Sequence, residues 1–265
     1  MKEIKSLKEI FSLNNLNSDS LIVFDVDQVL IDPIDRILSR KGETLKKSLL
    51  EELGQRYGIE KGHEIYSILV HTRKVRLVEE ETPDLIRGLI EQNKKVIALT
   101  KFPTGPFGCI PSVEAWRETQ LKALGIDFSA SFKAHPRIAF PKLQSSLYPA
   151  LPVFQSGILY TGGGGLTPAQ LSKGEVLKAF LSHLDWKPSH LIMVDDVESN
   201  VEDVEQACHE LGISSEGYHY TYVLNLEDKI DEALARFQFN FLDQHRVWLS
   251  DQEALEKMKA LKVEG

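Results

Sequence analysis

Leu21-Ile22-Val23-Phe24-Asp25-Val26-Asp27-Gln28-Val29-Leu30-Ile31 is a short apolar run that delivers two carboxylates and then turns apolar again. Four consecutive aliphatic and aromatic residues read as a strand buried on both faces, the central strand of a parallel sheet. Ligands of open α/β sheets bind outside the carboxyl ends of such strands, so Asp25 and Asp27 fall where chemistry is expected. Asp is also a favoured turn residue, and the pair by itself is readable as two solvated turn positions.

The remaining strand ends carry more polar residues. Val96-Ile97-Ala98-Leu99 ends in Thr100, Lys173 opens a helical stretch over 174–183, and Leu191-Ile192-Met193-Val194 ends in Asp195-Asp196 with Asn200 close behind. A lone Thr after a strand is ordinarily a cap, and a lone Lys a solvated charge. Adjacent carboxylates at the end of an apolar strand say more, because they repel each other unless a cation sits there.

In chain order, Asp-x-Asp-x-Val, strand-Thr, Lys and Asp-Asp-x-x-x-Asn resemble the four motifs of the haloacid dehalogenase superfamily of phosphohydrolases, over about residues 21–201. The opening segment and residues 116–128 also resemble an uncharacterised bacterial branch of it. The resemblance implies a Rossmann-like three-layer α/β/α core with a parallel sheet, and a small, mainly helical cap. It implies a magnesium-dependent phosphatase in which Asp25 is the nucleophile that forms an aspartyl-phosphate. Asp27 would protonate the leaving oxygen and later activate water, while Thr100 and Lys173 donate to the phosphate. The magnesium ligands would be Asp25 and Asp196, with Asp195, and the backbone carbonyl of Asp27; Asn200 would orient a ligand or Lys173.

These roles suit the chemistry. A carboxylate attacking an anionic ester is repelled unless cations and fixed donors neutralise the oxygens, and a hard octahedral cation bridges carboxylates and phosphate. The acid role needs Asp27 protonated while Asp25 is ionised. The order of elements speaks against a receiver domain, where the acidic pair leads the chain and the Lys comes last. Asp27 speaks against the dehalogenase branch, and the lack of Asp-Lys-Thr against the ion-pump branch. Gln28 and Val29 depart from the pattern, which commonly has a small or turn-forming residue and Thr there; Gln28 bears on rate and substrate choice. A phosphomutase or phosphotransferase is the alternative within this chemistry, and a non-catalytic metal- or partner-binding protein the alternative outside it.

The chain has 265 residues, 42% hydrophobic and 26% charged, enough for one substantial core with insertions. Its formal charge of −8 speaks against non-specific nucleic-acid binding, so the expected partner is a small phosphorylated substrate met by local positive charge. Two cysteines, Cys109 and Cys208, support neither a disulfide framework nor a thiolate metal site. Residues 1–16 lack a secretory core and nothing reaches membrane-spanning length, so a cytoplasmic protein is expected, with delivery by a system that reads other signals left open.

The catalytic core is expected over 1–33 and 82–265, with a β-rich insertion at about 127–157, and the helical cap over 34–81. Apolar residues Ile4, Leu7, Ile10 and Phe11 predict an amphipathic helix over 2–13. In the cap, Gly54, Gly58 and Gly62 punctuate periodic apolar faces. The basic cluster 71–76 reads as a solvated face, with the sharper alternative that Arg73 or Arg76 reaches a second anionic group of the substrate. Thr82 is expected to cap a helix leading into the second core strand. Lys101 and Arg117 are candidates to face the phosphate. The glycine run 162–165 lacks a P-loop ending and reads as a flexible loop beside the site, with no ATP requirement. Helices near 112–124, 201–211, 233–241 and 250–261 and strands near 158–161 and 218–224 complete the reading.

Overall fold

The structure, a computed structural model, describes residues 1–13, 16–143, 150–163, 166, 171–226 and 229–263. The run quoted above forms β2 (Ser20–Phe24), with every residue buried. It lies between β5 (Lys95–Thr100) and β9 (His190–Asp195), parallel to both, with Val23 opposite Ile97 and Met193. β10 (Ser214–Tyr220) and the short β1 (Lys2–Ile4) continue the parallel sheet on one side, and β8 (Ile158–Tyr160) on the other. Antiparallel β7 (Val153–Gln155) and β6 (Arg137–Ala139) then extend it, giving the order β1-β10-β9-β2-β5-β8-β7-β6 among the described residues.

Side chains alternate between faces along each strand, so two cores form. Ile22, Phe24, Val96, Ala98, Ile192 and Val194 meet one face's helices, α3 (Thr82–Glu91) and α4 (Val113–Ala123) among them. Leu21, Val23, Ile97, Leu99, Leu191 and Met193 meet α5 (Lys173–His183) and α6 (Glu198–Leu211) on the other. A mostly parallel sheet with helices on both faces is the three-layer α/β/α architecture that the resemblance implies. α7 (Glu232–His245) joins the first core through Phe239 and Leu242, and Phe239 meets Trp248 edge to face at 5.6 Å. α8 (Asp251–Val263) starts with the reciprocal Ser250–Glu253 bonds that the spacing predicts.

The opening differs from the helix predicted over 2–13. Lys2, Glu3 and Ile4 pair with Tyr218, His219 and Tyr220, and only the single turn α1 (Lys8–Phe11) is helical. A lone short helix barely forms, whereas an unpaired sheet edge offers three residues of backbone partners. Ile4, Leu7 and Ile10 are buried in either arrangement. Thr82 does not cap α3: it is its first residue, buried, and Glu81 stands at the N-cap. The stretch 127–157 is continuous with the main sheet through β6 and β7, and its residues 144–149 lie outside the described ones.

Between β2 and α3 the chain makes an antiparallel ribbon, β3 (Ile31–Pro33) with β4 (Val75–Leu77), which frames α2 (Glu43–Thr72). Of the three punctuating glycines only Gly58 leaves helical geometry, at φ 78 and ψ 172, a region open to glycine alone. Gly62 stays helical, and a Cβ there would stand 2.5 Å from Leu166 Cδ1. No helix among the described residues is long and apolar enough to cross a membrane.

Candidate active site

Three parallel strands bring their carboxyl ends together at one place. Asp25 follows β2 and donates its backbone N–H to the Val194 carbonyl (2.9 Å), which ties it to the end of β9 beside Asp195. Thr100 ends β5, buried, and lines the cavity above these residues. Lys173 is the first residue of α5, which Ser172 and Glu175 start with a reciprocal capping box. Its Nζ, 1% exposed, donates to Asp25 Oδ1 and to Asp195 Oδ2, both at 2.6 Å. Asn200 donates to both oxygens of Asp195 (3.1 and 3.2 Å), and the Val197 N–H donates to Oδ1 (2.9 Å). Asp195 is thus surrounded by donors, whereas Asp196 has Arg40 Nε at 3.6 Å and the Gln28 amide at 3.0 Å.

Asp25, Asp195 and Asp196 each offer an oxygen, and these lie within 4.8 Å of one another. Burial, then repulsion from Asp25 and Asp195, pushes the Asp196 carboxyl well above the usual range. Burial pushes Asp25 up as well; Lys173 opposes this, while Asp195 and Asp27 add to it. Burial would lower Lys173, but Asp195 and Asp25 outweigh it and raise its proton affinity. Crowded hard oxygens whose ionisation is mutually unfavourable are what a divalent cation relieves, so the donor set fits a hard divalent cation.

Asp27 is not part of that cluster. Arg73 Nη2 donates to its Oδ1 (2.6 Å), while Arg117 donates to Oδ2 (2.8 Å) and Oδ1 (3.4 Å). Burial alone would raise this carboxyl, but Arg117 and then Arg73 outweigh it and bring it down to about 2. The sequence reading wants Asp27 protonated and Asp25 ionised; the protein groups here favour the opposite order.

Arg117, fully buried, lies over Phe102 (4.6 Å) and Trp116 (4.9 Å) and donates to Gln120 (2.8 Å), so it faces Asp27. Arg73 follows α2 and its side chain is 10% exposed, which corrects the solvated-face reading at this residue, while His71, Thr72, Lys74 and Arg76 are exposed as that reading expects. Arg76 pairs instead with buried Asp32 (3.1 Å). Lys101 lines the cavity. Gln28 sits at φ 69, which explains why small or turn-forming residues suit this position. Its amide joins Asp196 Oδ2 to the Arg40 backbone N–H, both at 3.0 Å. Of the glycine run, Gly164 and Gly165 lie outside the described residues.

The cavity has a volume of about 820 Å³. Asp25, Asp27, Thr100, Lys173, Asp196 and Asn200 are at its chemical end, and its far wall comes from α2.

The chain is 28% identical over 225 residues to an uncharacterized protein of Rickettsia bellii, covering 82% of this chain and 73% of that protein. With an uncharacterized protein of Rickettsia typhi it shares 29% over 234 residues, covering 82% and 76%. A solved structure described as a "putative haloacid dehalogenase-like hydrolase" from Burkholderia xenovorans aligns with 79% of this chain and 87% of its own, at 10% identity and a TM-score of 0.37. Residues 3–255 match the family described as "Protein of unknown function (DUF2608)", and the chain belongs to that family.

Proposed function

We propose that this protein is a magnesium-dependent phosphohydrolase of a small phosphorylated metabolite, acting through an aspartyl-phosphate on Asp25. One observation carries the reading: a buried lysine bridges Asp25 and Asp195 at adjoining strand ends, with Asp196 beside them. Asp25, Asp196 and Asp195 would hold the magnesium, which when bound neutralises phosphate oxygens and lowers the repulsion between ester and carboxylate. Lys173 holds Asp25 in place and opposes its protonation, and with Thr100 it donates to the phosphoryl oxygens.

In the first step an Asp25 oxygen bonds to phosphorus, and the bond from phosphorus to the leaving oxygen breaks. In the second, water attacks the aspartyl-phosphate, Asp25 is released, and the water's proton passes to a base. Held by two guanidiniums, the Asp27 carboxylate is ionised but a weak base, so taking the water's proton in the second step also calls for its release from Arg73 and Arg117. To protonate a leaving oxygen in the first, it must be released from Arg73 and Arg117. Esters whose leaving oxygen needs no proton are therefore the better substrates of the arrangement seen here. The same clamp is the observation that favours a non-catalytic, metal-binding role.

The deciding experiment is phosphate release from 4-nitrophenyl phosphate, with magnesium and with chelator, for the native protein, Asp25→Asn and Asp27→Asn. Magnesium-dependent turnover lost in Asp25→Asn is expected. A folded native protein that binds magnesium yet releases no phosphate, and is not labelled on Asp25 by beryllium fluoride, would refute the hydrolase reading.

A further inference from the structure

The cavity is longer than a phosphate group needs. Its far wall is one face of the first half of α2, where Lys46, Lys47, Leu50, Glu51, Gly54 and Gln55 recur at three- and four-residue spacing. Glu43 also belongs to this wall, and from Glu43 to Gln55 a helix rises about 18 Å. A cap helix that only covered the core would close such a face with apolar side chains. Here the face is largely polar, with Gly54 near its far end. Apolar surface comes from Leu50 on this face, from Phe102 and Leu38 on the other walls, and from Ile59, 46% exposed, just past the Gly58 break in α2.

Charge on this wall is unevenly matched. Arg40 is committed, at 3.1 Å from Glu43 and 3.6 Å from Asp196. Among the described residues Lys46, Lys47 and Lys101 have no ion pair, and of the cavity's other carboxylates away from the catalytic end only Glu51 is unpaired. Lys101 follows β5 directly after Thr100, so cations reach the cavity from the core as well as from α2. In a chain of net charge −8, a cavity with three free lysines against one free carboxylate selects for a second negative charge on its ligand.

We infer that the substrate is an elongated phosphomonoester with a second anionic group, a phosphate or carboxylate, which Lys46 and Lys47 hold on the α2 wall away from the scissile bond, while Lys101 adds positive charge beside Thr100. This rests on the phosphohydrolase reading of the Asp25 site and adds the substrate class.

The test is equilibrium binding by calorimetry, in magnesium, to Asp25→Asn protein, which leaves the ester intact. Hexane-1,6-diyl bisphosphate and hexyl phosphate are the paired probes, alike in chain and leaving group and different in the second anion. A second ionic contact of this kind is expected to favour the bisphosphate about tenfold or more. In Lys46→Gln/Lys47→Gln/Lys101→Gln made on the same background, that ratio should fall to near one, and Lys47→Glu alone should lower it. Equal binding of the two probes, a ratio that survives the triple substitution, or no binding of either would overturn the inference. Turnover of 4-nitrophenyl phosphate by the native protein is read separately. Turnover without the bisphosphate preference refutes only the substrate class. Preference without turnover refutes the hydrolase reading and leaves the anion site standing.

Discussion

Replacing Asp27 with asparagine removes a negative charge held by two guanidiniums, and the cost follows from the carboxyl's depressed proton affinity. Arg117 and Arg73 overcome the effect of burial and bring it down to about 2. Against an ordinary value near 3.9, at about 1.4 kcal/mol per unit, the ionised form stabilises the fold by roughly 2.5 kcal/mol. The side chain is 28% exposed, so solvent screens this only in part. Because the folded carboxyl is lowered, the folded state binds fewer protons than the unfolded one between about pH 2 and pH 4. Its contribution is complete above that window, about half near pH 3, and gone as the pH falls below the folded value. Urea unfolding of native protein and Asp27→Asn in chelator, at neutral pH and near pH 3, reads both points. The expected deficit is about 2 kcal/mol at neutrality, shrinking on acidification. A deficit within the roughly 0.5 kcal/mol of an ordinary surface substitution, or one that does not change with pH, would refute the ion-pair account.

Asp196 titrates with the opposite sign. Its carboxyl is raised, so its ionisation costs stability as pH rises, and Asp196→Asn should melt higher than native protein in chelator at about pH 8. The same variant should lose the stabilisation by magnesium, about 2.7 kcal/mol for native protein at a hundredfold excess over Kd; thermal melts with and without the ion check both. Arg73 should make turnover sensitive to the leaving group. Native enzyme is expected to hydrolyse aryl phosphates far faster than alkyl phosphates, with Arg73→Ala narrowing the gap at least about tenfold, and parallel slopes for the two proteins would refute the clamp's catalytic role.

The sheet's centre was legible because β2, β5 and β9 are apolar runs that stop abruptly at polar residues, a pattern set by burial alone. β1 was not: Lys2, Glu3 and Ile4 have no strand pattern, and their conformation comes from partners more than two hundred residues away. β6 and β7 lack an alternating signal and gain order by continuing a sheet already built. The order of motifs brought Asp25, Thr100, Lys173, Asp195 and Asp196 forward as one set, and the structure places them around one cavity mouth or in direct contact there. The clamp on Asp27 had no such signal. Arg73, 46 residues away, and Arg117, 90 away, stood out in the sequence only as cations aimed at the substrate, and nothing there pairs either with Asp27. Only the aromatic neighbours Phe102 and Trp116 hint that Arg117 is not solvated, and their meaning depends on the fold.

Among the described residues both margins of the main sheet are three-residue strands, β1 and β6, and each carries exposed charge, Lys2 and Glu3 on one and Arg137 on the other. A long, flat, apolar margin is a template on which another polypeptide can add itself as one more strand. Margins this short offer a newcomer only a few backbone bonds and set charges beside it. The sheet that holds the site thus gives a strand of another molecule little backbone to pair with at either margin.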